Sequence, residues 1–255
     1  MPHAAFRFYA ELNDFLPLTR RQIAFTHRFE GRISIKDMIE SLGVPHTEID
    51  LILVNGASVD FAYLVQDGDR ISVYPVFESF DIKSLVRVRP EPLREPKFVL
   101  DVHLGRLTAY MRMLGFDALF PENYDDENLA RISATEHRTL LTRDRGLLKR
   151  KMVTHGYCVR ETDSRKQVSE VLRRFDLYRL IAPFQRCVHC NGLLEAVDKA
   201  AIHDRLEPDT LAYYDEFRRC PTCDRIYWKG THYDRMQQFI QEIIAENGGE
   251  ESRES

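Results

Sequence analysis

The sequence predicts an α/β protein with a central region of parallel strands, a smaller mixed sheet before it and a cysteine-bound ribbon after it. Three observations carry this. Between Lys97 and Asp144, short apolar runs alternate with helical patterns in the order strand, helix, strand, helix, strand, which is the pattern of parallel βαβ units. Residues 6–80 show two alternating runs, a helix and a hairpin signal. Residues 183–235 hold two Cys-x-x-Cys pairs, Cys187/Cys190 and Cys220/Cys223.

In the first region, Phe6–Ala10 and Ile23–Phe29 alternate as strands do, and a helix is expected from Ser34 through Leu42, closed by Gly43. Ile52-Leu53-Val54 then meets Asn55-Gly56, a strong hairpin signal, and Asp67-Gly68-Asp69 makes a further turn before Ile71–Tyr74. Residues 1–80 are therefore read as one small domain. Residues 81–96 carry Pro90, Pro92 and Pro96 among charges, a composition that gives a semi-rigid linker.

Residues 97–182 form the α/β region. Phe98-Val99-Leu100 leads into Asp101; Leu104, Leu107, Met111 and Leu114 then follow at helical spacing and stop at Gly115. A strand is expected at Asp117–Phe120 and a helix from Asp125-Asp126 to near His137. Thr139–Thr142 leads, one Arg later, into Asp144 and a short helix over Arg145–Lys151. Tyr157–Arg160 reads as the next strand, and Asp163-Ser164 as the cap of a helix with Val168, Val171, Leu172 and Phe175 inward.

Four thiolates suit zinc in a tetrahedral, structural site, and each Cys-x-x-Cys turn presents two of them. The 29 residues between the pairs exceed the common spacing, so Leu193–Arg219 must hold structure of its own. A redox dithiol is the alternative, although one pair would suffice for it. Gly192 lets the chain curl so that amides approach the sulfurs, and His232 stands as a substitute ligand or a packing residue. Residues 236–255 read as a C-terminal helix with a disordered tail from Glu246.

Asp101 and Asp144 share one position, just past the end of a strand, where open α/β sheets collect their functional groups. Each could simply cap the helix that follows. Two acids meeting at one edge repel unless a cation lies between them, so a divalent metal site is expected. Asp126 and Glu136 are the candidates to complete it, with Asp117, Asp125 and Asp163 behind them. Asp126 reads equally as a dipole-favoured first-turn acid, and Glu136 as a surface residue paired with Arg131 or Arg138. Carboxylates select Mg²⁺ or Mn²⁺, whereas the cysteines select zinc.

The chain is 44% hydrophobic and 30% charged, an ordinary globular composition, and no apolar run reaches the length of a membrane span. No export signal is visible, and thiols spaced for metal suit a cytoplasmic protein. The net charge of −4 hides an uneven distribution: residues 97–186 hold 17 Lys and Arg against 12 Asp and Glu, between two acidic flanks. A polyanion such as a nucleic acid would therefore bind the middle, with Arg106, Arg112, Arg143 and Arg145 on its backbone, although a solvated helical surface explains an excess of five charges about as well. Arg106 and Arg112 fit equally well as the polar face of their helix.

Two resemblances sharpen these readings. The ββαββ order with Val54-Asn55-Gly56 and Asp67-Gly68-Asp69-Arg70-Ile71 resembles the β-grasp, ubiquitin-like sulfur carriers. Those act through a C-terminal Gly-Gly, and here the chain runs on through Pro75-Val76-Phe77-Glu78. The resemblance implies the fold, an accessory domain with a protein partner, and not the carrier chemistry. Phe98–Leu107, Arg112–Asp117 and Leu140–Arg145 are similar to the Mut-7 C-terminal RNase family, a PIN-like nuclease domain followed by a four-cysteine zinc ribbon. That likeness implies a metal-dependent RNase with acids at Asp101, Asp126, Glu136 and Asp144, acting on an RNA such as tRNA or rRNA. The rival readings are a non-catalytic RNA-binding adaptor, whose acids are only caps, and a scaffold in tRNA sulfur modification.

Overall fold

The computed structural model describes residues 1–75, 96–121 and 123–251, so the linker expected over 81–96 lies outside the described residues except for Pro96. The described residues of Met1–Glu95 and Tyr124–Cys158 form one compact unit, and those of Pro96–Asn123 and Val159–Ser255 form a second.

The first unit opens with strand β1 (His3–Phe8), strand β2 (Phe25–Arg28), helix α1 (Ile35–Ser41) and strands β3 (Ile49–Val54), β4 (Ala57–Ser58) and β5 (Arg70–Pro75). The sheet order is β2-β1-β5-β3-β4, with β1 and β5 parallel at its centre and the other pairs antiparallel. This is the β-grasp arrangement. Ser34 accepts the amide of Asp37 at 3.1 Å and caps α1, whose Ile35, Met38 and Ile39 are buried. Phe6 and Phe8 are fully buried and stack on Phe25, each contributing about 1.5–3 kcal/mol of apolar burial. Asn55 and Gly56 both take positive φ, 52° and 87°, as a two-residue hairpin turn requires. The first strand stops earlier than its alternation suggests, because Ala10 takes φ 47° and starts a 3₁₀ turn over Ala10–Phe15.

The α/β region contributes strand β6 (Lys97–Leu100), helix α2 (Gly105–Met113), strand β7 (Asp117–Leu119), helix α3 (Asp126–Thr135), strand β8 (Thr139–Thr142), helix α4 (Arg145–Leu148), strand β9 (Gly156–Cys158) and helix α5 (Ser164–Arg174). In the first unit β8 pairs with β9 in parallel, Leu140 against Gly156 and Thr142 against Cys158. All four residues of β8 are buried, as a strand covered on both faces should be. In the second unit β6 pairs with β7 in parallel, Phe98 against Ala118, with α2 as the crossover. Helix α2 turns Leu107 and Met111 inward, and α5 turns Val168, Val171 and Leu172 inward. The ring of Phe98 meets Phe116 and Phe175 edge-on.

The cysteine region is a three-stranded antiparallel ribbon of β10 (Glu195–Val197), β11 (Phe217–Arg219) and β12 (Ile226–Trp228), with the short helix α6 (Pro208–Tyr213) between the first two. The insertion demanded by the long gap between the cysteine pairs is therefore one strand, a 3₁₀ turn, α6 and β11. The last helix, α7 (Thr231–Glu251), starts earlier than the expected C-terminal helix and continues beyond Glu246; residues 252–255 lie outside the described residues. Its Phe239 is buried and its ring lies tilted against Tyr110 of α2, with centroids 4.8 Å apart.

Gly115 ends α2 with φ +99°, and a Cβ there would overlap the carbonyl of Ala182. Gly115→Ala is expected to cost at least about 2 kcal/mol, from the left-handed backbone and the steric overlap together. A thermal or urea unfolding curve of the full chain measures it.

Candidate acidic site and four-cysteine centre

Asp101 follows β6 directly and is buried, 4% exposed. Its Oδ1 accepts the amide of His103 at 2.7 Å, so it does cap the turn that leads into α2. Asp144 follows β8, is exposed, and its Oδ1 accepts the amide of Gly146 at 2.6 Å. Its own amide donates to the buried Thr142 hydroxyl at 2.9 Å. Both acids thus make the same bond at the same topological place, each past the C-terminal end of a strand in a parallel pair.

The two middle acids separate. Asp126 opens α3, whose cap is Asp125, and pairs with Arg150 at 3.6 Å across a half-exposed surface. An ion pair this wet is worth under about 1 kcal/mol and leaves the carboxylate available. Glu136 closes the other end of α3 and holds Arg138 at 2.7 Å. The ten residues of α3 put roughly 15 Å between its ends, so Asp126 and Glu136 do not share one ion. Glu136 also precedes β8, at the end opposite to the one Asp144 follows. The expectation that Glu136 belongs to the acidic site is corrected on this geometry.

Arg106, Arg143 and Arg145 are exposed. Arg112 is not, and its expected role on RNA is corrected too. Its guanidinium is buried, with Nε donating to the Ala118 carbonyl at 2.8 Å and Nη1 to those of Val188 and His189 at 3.1 and 2.7 Å. Burial lowers its pKa, while Cys187, Cys190 and Asp117 pull the other way. Asp117 is equally committed: Oδ1 accepts from Asn191 at 2.8 Å, and Oδ2 lies 3.4 Å from Arg186. Asp163 caps α5 through the amides of Arg165 and Lys166.

The four sulfurs of Cys187, Cys190, Cys220 and Cys223 lie within 4.8 Å of one another. A tetrahedral thiolate site with metal–sulfur bonds of about 2.3 Å spaces its sulfurs by roughly 3.8 Å, so the cluster fits a soft metal ion such as zinc. Each knuckle closes alike. Asn191 and Asp224, one past the second cysteine of each pair, take φ 70° and 60° and donate their amides to the carbonyls of Cys187 and Cys220. Gly192 serves by close approach, since a Cβ there would sit 2.8 Å from the Thr222 hydroxyl and 3.0 Å from Cys220 Sγ.

Burial pushes the Cys187 thiol up, but hydrogen bonds from the Tyr227 hydroxyl, the Cys190 amide and neighbouring thiols outweigh it and bring it to about 7. Burial, with the adjoining thiols, pushes Cys190 up to about 12. Four thiolates this close need a cation to stay ionised together. Tyr227, whose hydroxyl lies 3.0 Å from Cys187 Sγ, was not visible as a site residue in sequence, where it reads only as a strand aromatic. The side chain of His232 lies outside the described residues.

The first knuckle is welded to the α/β region. Besides the Arg112 bonds, Asn191 Oδ1 accepts the amide of Ala118 in β7 at 3.1 Å, and the Ala182 amide donates to Leu114.

Fold and site together define a nuclease-like α/β domain with a four-cysteine centre built into it and a ubiquitin-like module ahead of it. The chain matches the Mut7-C RNAse domain over residues 96–240 and the Mut7-C ubiquitin domain over residues 1–81. It belongs to the Mut7-C RNAse domain family. Neither a curated protein nor a solved structure matches it. Among the described residues, no helix is long and apolar enough to cross a membrane.

Cys190→Ser is expected to reduce bound metal from about one ion per chain to well below half, read by elemental analysis of purified protein. Arg112→Met leaves three carbonyls without their donor and is expected to cost about 3 kcal/mol, whereas Arg106→Met on the exposed face should change stability by under about 0.5 kcal/mol. Urea unfolding of the two variants separates the buried from the solvated arginine.

Proposed function

We propose that this protein is a metal-dependent ribonuclease that hydrolyses RNA phosphodiester bonds at Asp101, Asp126 and Asp144. The matched placement of Asp101 and Asp144 carries the reading, since each ends a strand of a parallel pair and turns the chain into the next helix. Ligand sites of α/β sheets gather beyond those strand ends. Membership in an RNase domain family supports the reaction class.

The donor set is carboxylate alone, which suits the hard ions Mg²⁺ and Mn²⁺. Such an ion, when bound, neutralises charge on the scissile phosphate and lowers the pKa of the attacking water. The rest falls to the chain. The capping bonds fix the side-chain direction of both aspartates before any ligand arrives, and Asp126 adds a third acid from the start of α3. Arg106, Arg143 and Arg145 are the arginines left to hold the RNA backbone. The excess of basic over acidic residues in 97–186 favours this region of the chain for a polyanion. In the cysteine cluster we place a structural Zn²⁺, and cysteines spaced for metal binding suit a cytoplasmic protein.

The capping bonds also suit a non-catalytic RNA-binding adaptor, and one substitution divides the two readings. Asn caps a helix as well as Asp does but lacks the charge a metal ligand needs. Asp101→Asn and Asp144→Asn are each expected to lower cleavage of a labelled RNA by more than about 100-fold in Mn²⁺, with stability within about 1 kcal/mol of wild type. Activity lost in EDTA should return with Mn²⁺ or Mg²⁺ and not with Zn²⁺. Wild-type cleavage rates in both Asn variants would leave the adaptor as the better reading.

A further inference from the structure

The segment from Arg145 to Cys158 has little cohesion of its own. Helix α4 is a single turn, β9 is three residues long, and seven residues without regular structure join them. Yet Asp144 is the residue that caps this segment. Besides its pairing with β8, it is held at four points along its length by the β-grasp module. The guanidinium of Arg145 lies over the ring of Phe15 at 4.8 Å. Lys149 Nζ donates to the Glu40 carbonyl in the last turn of α1 at 2.7 Å, where a cation suits the negative end of a helix. His46 Nε2 donates to the Val153 carbonyl at 2.8 Å, and its Nδ1 lies 2.6 Å from Glu40 Oε1. Glu48, fully buried, accepts the amide of Cys158 at 2.6 Å.

A carboxylate with no solvent exposure is costly unless its bonds are made. Glu48 makes one of them to the backbone of β9. His46 is 6% exposed and spans Glu40 and Val153 in the same way. These are the contacts of a module built to stay in place. They are not those of a carrier surface offered to a passing partner.

We propose that the β-grasp module is a positioning device acting in cis, which clamps the α4–β9 segment and thereby sets the direction of Asp144 and Arg145. Phe15, His46 and Glu48 are then positioning residues, none of which touches substrate. The effect on cleavage rests on the ribonuclease reading; the clamp itself does not. A catalytic carboxylate displaced by about 1 Å loses on the order of 100-fold in rate, so a clamp of this kind acts on turnover more than on binding.

The test uses the full chain and measures backbone hydrogen exchange and RNA cleavage side by side. Glu48→Ala should accelerate exchange over 145–158 by about tenfold or more while peptides in 97–119 and 217–228 stay at wild-type rates. In the same variant kcat should fall about tenfold or more with KM changed less than about twofold, and Glu48→Gln, which keeps an acceptor oxygen for Cys158, should recover most of both. If Glu48→Ala does not fold, Phe15→Leu keeps an apolar side chain in the core while removing the π-face under Arg145; exchange over 145–149 should then rise. Unchanged exchange over 145–158 in every variant overturns the proposal, and so does faster exchange with wild-type kcat. A wild-type protein that cleaves no RNA in Mn²⁺ overturns the ribonuclease reading separately, and the exchange data still decide whether the module clamps the segment.

Discussion

The guanidinium of Arg112 is the constraint on which the second unit depends. It leaves the inner side of α2, donates from Nε to the Ala118 carbonyl in β7, and from Nη1 to two carbonyls inside the first cysteine knuckle. A planar fork can satisfy three carbonyls from one point, which a lysine ammonium on a flexible stem does less well. Asn191 repeats the connection from the other side, bonding both the Ala118 amide and the Asp117 carboxylate. The cysteine centre is consequently no appendage. Metal held by four thiolates would fix Val188 and His189, and through Arg112 the edge strand beside β6, the strand that ends at Asp101.

Capping and metal binding draw on the same chemistry, which is why the acids are ambiguous in sequence. An aspartate after a strand offers one oxygen to the amides of the next turn and keeps the other for a different partner. The cap lowers the freedom of the side chain before any ion arrives. An acid already pinned by its own helix is therefore a better ligand than a free one, because less rotamer entropy remains to be lost. Asp101 and Asp144 being caps does not count against their being ligands.

Much of this was legible beforehand, for identifiable reasons. The periodicity over 97–144 gave strand and helix in the right order because both faces of the strands are buried and the helices carry one apolar face. The cysteine spacing announced its own cluster. Asn55-Gly56 announced its turn through the positive φ that both residues tolerate. The side-chain assignments that failed did so through tertiary neighbours. Arg112 sits in an ordinary amphipathic pattern, and only the knuckle, far along the chain, makes it a buried residue. Glu136 looked like a fourth acid by its distance along the chain from Asp126, and the length of one helix removes it. The bonds of His46 and Glu48 span more than 100 residues of sequence and left no local mark at all.

The absence of a Gly-Gly after β5 takes on a physical meaning beside those bonds. A carrier must present a free end and leave its neighbours; this module continues into the rest of the chain and buries a carboxylate against it. Covalent linkage gives such a seam an effective concentration in the millimolar range, so even contacts of about 1–3 kcal/mol each hold it closed without a large apolar interface. A tethered seam of this kind can afford to be polar. Polar bonds have fixed directions and apolar contact does not, so a seam made of them fixes orientation as well as proximity. That is the property a segment capped by a candidate catalytic aspartate requires.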